Sequence, residues 1–266
     1  MIDAHNHILP GIDDGARDRA YALDMARIAV AAGIGTVIVT PHHLNGVYSN
    51  ARKGILRAVM ELRSALAEAG IELAIFPGSE LHLVPELPAR ILDGDALTYA
   101  DRGHAALIEL PKQTIPTGAE NILEKLLYEG ITPVIAHPER NATLAAQPER
   151  AEQWVRWGCR LQLTAQSCAG DFGAPIQAVC RRWCEAGVVH LLASDAHRTV
   201  SRPPDLRGGI RSVSEWIGAD AAAAMTRGNP RRLLDGEDLL NVVAGSAGLP
   251  PRGFLDWVRD KWSARN

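Results

Sequence analysis

His5-Asn6-His7 places two imidazoles two residues apart at the start of the chain. On an extended segment such a pair points to one side, because strand side chains alternate with a period of two. Two neutral imidazoles aimed at one point begin a metal site. The same spacing returns in Asp195-Ala196-His197, and between the two lie Asp13-Asp14-Gly15, Thr40-Pro41-His42-His43, Pro77-Gly78-Ser79-Glu80, Ile108-Glu109-Leu110-Pro111 and Ala136-His137-Pro138-Glu139-Arg140. Carboxylates set among imidazoles add negative charge and can bridge two cations. Each motif alone is weak, since a strand-end carboxylate is usually solvated or caps the next helix. The joint pattern is stronger: five of the nine histidines (His5, His7, His42, His137, His197) and four carboxylates (Asp14, Glu80, Glu109, Asp195) fall at comparable places. Crowding four negative groups on one rim without cations is costly, so the pattern predicts a multinuclear metal centre. His82, His104 and His190 read instead as surface or satisfied core histidines.

The elements that must position these residues follow from periodicity. Short apolar runs rich in Ile, Val and Leu read as strands: Ile2–Ala4, Thr36–Thr40, Leu73–Phe76, Ala105–Leu110, Pro133–Ala136, Leu161–Thr164 and Val188–Ala193. Helical spacing fills Asp18–Ala32, Ala51–Ala69, Ala119–Glu129, Pro148–Trp157, Pro175–Ala186 and Gly209–Ile217, and several of these stop at a glycine. Strands alternating with helices predict a mainly parallel sheet with helices outside it. Six of the seven strands deliver His, Asp or Glu at or just after their C-terminal ends. In a closed barrel those ends converge on one face, whereas in an open sheet they spread along an edge. The fold class expected is therefore α/β, a distorted barrel, with residues 1–266 forming a single domain. The tail from Ala219 reads as two or three helices with a turn at Gly228-Asn229-Pro230, packed onto the body by Trp257 and Trp262. Arg202–Gly209 reads as a loop.

Composition narrows the function. The 266 residues carry 28 basic and 31 acidic side chains, and this near-neutral chain without basic runs excludes a general nucleic-acid binder. No run approaches the ~20 apolar residues of a membrane helix, and the Met1-Ile2-Asp3 start has no secretory character, so the expected location is the cytoplasm without membrane insertion. The four cysteines, Cys159, Cys168, Cys180 and Cys184, show no paired C-x-x-C and read as small buried side chains in a reducing compartment.

The motifs resemble the polymerase and histidinol phosphatase (PHP) superfamily of metal-dependent phosphoesterases. The opening His5-Asn6-His7-Ile8-Leu9-Pro10-Gly11-Ile12-Asp13-Asp14-Gly15 resembles, within it, the bacterial PHP-type protein-tyrosine phosphatases encoded with capsule or exopolysaccharide genes. So do Thr40-Pro41-His42-His43, Gly78-Ser79-Glu80, His137-Pro138-Glu139-Arg140, Ser194-Asp195-Ala196-His197 with Arg202-Pro203-Pro204, and Asn229-Pro230-Arg231-Arg232-Leu233-Leu234. The likeness spans roughly residues 1–236 in order and is less clear over Ser167–Phe172. It implies a PHP-type, TIM-like distorted (β/α)7 barrel with C-terminal helices and three divalent ions, manganese first, with iron, magnesium, cobalt or zinc as alternatives. Carried over residue by residue, His5, His7, Glu80 and Asp195 hold one ion; Glu80, Glu109 and His137 a second, with Glu80 bridging; Asp14, His42 and His197 the third. Asp13 is the less suitable of the adjacent aspartates. Arg140 and Arg202 match positions used for phosphate binding or catalysis.

The implied reaction is hydrolysis of phosphotyrosine by a metal-bridged hydroxide attacking phosphorus in line. Arginine suits phosphate because its planar fork gives two parallel hydrogen bonds. A phenolate, with a conjugate acid of pKa about 10, needs little protonation, and the sequence names no obvious general acid; His43 is a candidate for contact with the leaving group or water, and Tyr48 for the cleft's border. The implied partner is a phosphotyrosine protein, the tyrosine-rich tail of a bacterial polysaccharide-export kinase, and exposed helical faces are compatible with a homo-oligomer. The alternatives are a small phosphate monoester such as histidinol phosphate, a metal-dependent amidohydrolase using a lysine such as Lys112, and a non-catalytic scaffold.

Overall fold

The structure is a computed structural model that describes residues 1–243. Seven parallel staves close into a barrel. The first is β1 (Ile2–Asn6). The second stave is split into β2 (Thr36–Val39) and β3 (His42–His43), and the third into β4 (Ala74–Phe76) and β5 (Glu80–His82). The remaining four are β6 (Ala105–Glu109), β7 (Thr132–Ala136), β8 (Arg160–Thr164) and β9 (Val189–Ala193). Hydrogen bonding runs β1-β2-β4 on one side and β3-β5-β6-β7-β8-β9 on the other. Closure comes past β9, where Asp195 N–H donates to the His5 carbonyl and His7 N–H to the Ala196 carbonyl, both at 2.9 Å.

The seven expected runs thus correspond to the seven staves, but two of them break and resume. Thr40-Pro41 and Pro77-Gly78-Ser79 interrupt the second and third staves, and proline lacks the N–H a ladder needs. Beyond each break the short piece pairs afresh, His42 opposite Glu80. Such two- and three-residue strands are too short for periodicity to reveal.

Helices cover the outside. They include α1 (Arg19–Ala31), α2 (Arg52–Glu68), α3 (Leu87–Leu92), α4 (Ala119–Tyr128), α5 (Ala142–Ala146), α6 (Pro148–Trp157), α7 (Ala165–Ala169), α8 (Ala174–Glu185) and α9 (Arg207–Ile217). Side-chain caps explain two starts: Asp18 accepts from Tyr21 N–H, and Asn141 from Leu144 N–H. The α9 helix begins inside the segment expected to be a loop. The expected turn at Gly228-Asn229-Pro230 is helical as well. A π-helical segment, Ala224–Gly228, joins α10 (Ala219–Ala223) directly to α11 (Asn229–Asp235). Pro230 falls in the first turn of α11, where its missing N–H costs nothing. Trp257 and Trp262 lie outside the described residues.

Two apolar layers hold the fold together. Outward strand residues such as Val37, Ile108, Ile135 and Leu161 pack against Met25, Leu62, Leu123, Trp154 and Trp183 of the helices. Inside the barrel, Ala4, Ile38, Leu107, Val134 and Leu191 meet Tyr99 and the tail residues Leu233, Leu234 and Leu239, which stopper the N-terminal end. The opposite end, where the strands finish, is left to polar side chains. Among the described residues no helix is long and apolar enough to cross a membrane.

Candidate metal centre

Four donor atoms converge at the C-terminal mouth of the barrel. His5 Nε2 and His7 Nε2 stand 3.1 Å apart, and each is 3.3 Å from Glu80 Oε2. Asp195 Oδ1 is 3.3 Å from His5 Nε2 and 3.5 Å from His7 Nε2. Such separations suit donors sharing one cation with bonds of about 2.0–2.2 Å. Glu80 faces two ways, because its Oε1 accepts from His137 Nε2 at 2.8 Å while Oε2 also lies 3.0 Å from His42 Nδ1. His42 is a second junction: Nδ1 lies 3.6 Å from Glu109 Oε2, and Nε2 lies 3.4 Å from Asp14 Oδ1. His197 Nε2 completes that side, 3.3 Å from Asp14 Oδ1.

All nine residues expected to hold metal are brought to one place, from six staves and the loop after the first. Their grouping differs in detail from the implied one. His42, rather than His137, gathers with Glu80 and Glu109, while His137 gathers with His5 and Asp195, and His7 joins Asp14, His42 and His197. His42 therefore lies between two of the expected centres.

The backbone goes to some length to aim these groups. The β1–β2 register shifts between Asp3 and Asn6, and such a bulge re-aims side chains. It lets a strand that gives Ala4 to the barrel interior also give His5 and His7 to the mouth. His137 and Asp195 hold left-handed φ values of 30° and 51°, conformations that cost non-glycine residues free energy and cluster at functional sites. At Gly15 a Cβ would meet the His7 carbonyl oxygen at 1.9 Å, so only glycine lets the Asp13-Asp14 loop fold back onto the histidines.

Whether cations fit is decided by the polar atoms left over. Glu80 Oε2, Asp195 Oδ1 and His42 Nδ1 are buried without hydrogen-bond partners and point into the cluster; such atoms are rare in native proteins unless something else satisfies them. The electrostatics agree. Burial opposes the charge on Glu80, yet His5, with His137 and His42 close beside it, holds its carboxyl well below the usual range. Asp195 is likewise held well below, against burial, by His5 and Arg202. Burial opposes charge on His7 too, but Asp13 and Glu80 lift its imidazole well above the ordinary value. Positive charge is what this cluster attracts, and its nitrogen–oxygen donor set suits divalent transition-metal ions.

Surrounding groups orient the donors. The Nδ1 of His5 lies 2.8 Å from Gln162 Oε1 and that of His7 2.8 Å from Asp13 Oδ2, which leaves each Nε2 free to ligate. Asp13 also accepts from the Gly15 and His42 N–H groups, so its oxygens are engaged and Asp14 is the aspartate that reaches the cluster. Gln162 escaped the sequence reading, although a lone amide between two leucines of a core strand was a usable signal. His82 escaped it as well: two residues after Glu80 and opposite Glu109 in register, it lies 3.5 Å from Glu109 Oε2. His190 is fully buried, as a satisfied core histidine should be, bonded by Leu161 N–H and facing Asn241 Oδ1 at 3.2 Å.

Arg140 Nη1 and Arg202 Nη2 both donate to Asp195 Oδ2. The arginines sit at the cluster's edge, with side chains 21% and 24% exposed. Arg202 is held by a tight turn whose carbonyl accepts from His197 and Arg198 N–H. The structure does not bring His43 there: next to inward-facing His42, it turns away and lies 3.6 Å from Asp95 Oδ2, 1% exposed. Tyr48 stacks on His42 at the cluster's border, ring centres 6.1 Å apart. The four thiols are buried. Burial pushes the Cys159 thiol up to about 12, which disqualifies it as a nucleophile at neutral pH. Lys112 is exposed.

Residues 1–235 match the family described as capsular polysaccharide synthesis, CpsB/CapC. The chain is 41% identical over 226 residues to the tyrosine-protein phosphatase YwqE of Bacillus subtilis, covering 85% of this chain and 89% of the relative. It is 28% identical over 239 residues to the tyrosine-protein phosphatase CpsB of Streptococcus pneumoniae, covering 88% and 98%. A solved structure from work on these two proteins, described there as metal-dependent tyrosine phosphatases, superposes with a TM-score of 0.85 at 35% identity, over 95% of this chain and 99% of that one. An enamidase of the amidohydrolase superfamily superposes with a TM-score of 0.53 at 16% identity, covering 92% and 69%; that likeness is one of fold alone.

Proposed function

The chain belongs to the capsular polysaccharide synthesis CpsB/CapC family, and from that premise we propose that it is a metal-dependent protein-tyrosine phosphatase, a hydrolase of phosphoric monoesters. The observation that carries the reading is the meeting of His5, His7, Glu80 and Asp195 around unpartnered buried oxygens, with two arginines donating to the same aspartate. The close relatives are tyrosine phosphatases, which favours phosphotyrosine over a small monoester such as histidinol phosphate.

His5, His7, Glu80 and Asp195 are proposed to hold one divalent ion, Glu80 with Glu109 and His137 a second, and Asp14, His42 and His197 a third, with manganese the first choice. His42, placed between centres, is free to serve either neighbour. Ions bound there supply a deprotonated water at neutral pH and neutralise charge on the phosphoryl group. The protein's own contribution is positional. Asp195 fixes one N–H of each arginine, leaving the rest of each planar fork to meet the non-bridging phosphate oxygens. Gln162 and Asp13 keep the imidazoles of His5 and His7 in their ligating tautomers. The phenolate leaves with its low basicity in place of a dedicated acid, in keeping with His43 facing elsewhere. All of these groups lie between residues 5 and 202, within the one domain proposed for the chain. The physiological partner proposed is the tyrosine-rich tail of a polysaccharide-export kinase, met in the cytoplasm.

A direct test incubates the chain with Mn2+ and a phosphotyrosine peptide. Stripping the metal with a chelator is expected to lower hydrolysis by at least about 10³-fold, with recovery on adding Mn2+, while thiol alkylation leaves it intact because no thiol is accessible. Chelator-resistant turnover would sink the reading.

A further inference from the structure

A cavity of about 380 Å³ opens beside the candidate centre, lined by Leu110, Lys112, Ala136, His137, Arg140, Asn141, Phe172 and Ile176. None of its apolar wall is used by the metal-binding groups. Two of its polar members, His137 and Arg140, belong to the cluster, so the cavity begins where phosphate contacts end. Arg140 joins the two: one nitrogen donates to Asp195, while its guanidinium carbon stands 5.5 Å from the centre of the Phe172 ring. Leu110 and Ala136 come from the ends of β6 and β7, whereas Phe172 and Ile176 come from the α7–α8 connection and the first turn of α8. Phe172 is one of only three phenylalanines in the chain. It is half-buried, presenting a ring to the cavity instead of filling the core.

We infer that this cavity receives the aromatic ring of the substrate, and that Phe172, with Ile176, is the wall that distinguishes aryl from alkyl phosphates. The inference rests on the phosphatase reading above. An ester phosphate held by Arg140 projects its remaining group either to solvent or into this pocket. A space of about 150 Å³ suffices for a benzene ring, so the cavity accepts a tyrosyl ring with room for the peptide to leave. Aromatic rings pack favourably edge-to-face or offset, and apolar walls reward burial of a ring that an alkyl ester lacks. The Arg140 stack on Phe172 also keeps the guanidinium from swinging into the pocket.

The test uses the manganese-loaded enzyme and compares kcat/KM for phenyl phosphate with that for glycerol 2-phosphate, in the native chain and in Phe172→Ala, Ile176→Ala and Phe172→Tyr. The aryl-to-alkyl ratio is expected to fall roughly ten- to hundredfold in Phe172→Ala, chiefly through KM for phenyl phosphate, to fall less in Ile176→Ala, and to be restored in Phe172→Tyr. Ratios within twofold of native in both alanine variants would overturn the pocket while leaving the phosphatase reading intact. Equal losses on both esters would overturn it too, because Phe172 would then be acting only through Arg140. If the native chain hydrolyses neither ester with Mn2+, the phosphatase reading fails and the pocket with it.

Discussion

The two ends of the barrel both bury polar side chains and reach opposite outcomes. At the N-terminal end, the buried Arg160 donates to the carbonyls of Gly158 and Cys159, and Asn229 donates to those of His190 and Leu240. Leu233, Leu234 and Leu239 close over them. Most polar groups here find partners within the chain, with Arg160 Nε and the Tyr99 hydroxyl the exceptions, and the result is a stopper. At the C-terminal end His5, His7, Glu80 and Asp195 are just as buried, but three donor atoms lack hydrogen-bond partners and two backbone positions sit in left-handed conformations. What sets the mouth apart is that its unpartnered atoms are carboxylate oxygens and an imidazole nitrogen gathered in one cluster, which gives them binding capacity for something from outside the chain. The stopper is there for stability and the mouth for chemistry.

That contrast predicts that changes at the mouth cost activity and changes at the floor cost stability. The largest effect after metal removal is expected from Arg140→Ala: turnover of a phosphotyrosine peptide falls about 10²–10³-fold, while metal content by mass spectrometry and the melting temperature stay near native. Normal turnover would remove Arg140 from the mechanism. At the floor, Leu233→Ala is expected to lose about 2–5 kcal/mol of stability in denaturant with unaltered turnover per folded molecule; a selective loss of turnover would break the division. Asp13→Asn sharpens it from the other side. Loss of the carboxylate facing His7 Nδ1 should lower metal affinity or activity about 10–100-fold, measurable by manganese titration, with little change in folding.

The smallest effect concerns pH. Burial, with help from Arg160, holds the His190 imidazole well below its ordinary value. The unfolded chain takes up a proton at this histidine below pH about 6.5 while the folded chain does not, so stability falls as pH drops from that point, by up to about 1.4 kcal/mol per unit. In His190→Gln that part of the slope is expected to vanish. Denaturation midpoints at pH 7.5 and 5 would then lie closer together, and an unchanged difference would show that His190 does not carry it.

Much of the mouth was legible in the sequence because its signal is chemical. His5 and His7, Glu80, Asp195 and His197 stand out wherever apolar runs end. What escaped has physical causes. Gln162 supports a ligand without being a residue type a metal search favours, and His82 lies at the end of a three-residue strand too short for its facing to be read. His43 became a candidate for leaving-group or water contact because it shares a motif with His42, although the pleat sends adjacent residues to opposite faces. The split staves were invisible because His42–His43 and Glu80–His82 are shorter than any periodicity. The Gly228-Asn229-Pro230 segment misled because turn residues also fit where one helix passes into the next.

Residue order by itself determined that strands alternate with helices, that ionisable groups gather at strand ends, and that no accessible thiol chemistry was on offer. Those are local properties, set by side-chain type and spacing. Only the closed barrel decided which donors gather together, that His42 stands between two of those groups, and that an apolar cavity opens beside Arg140. Each of these depends on how far apart two staves end up after a bulge, a proline break and ring closure, and such distances belong to no single stretch of chain.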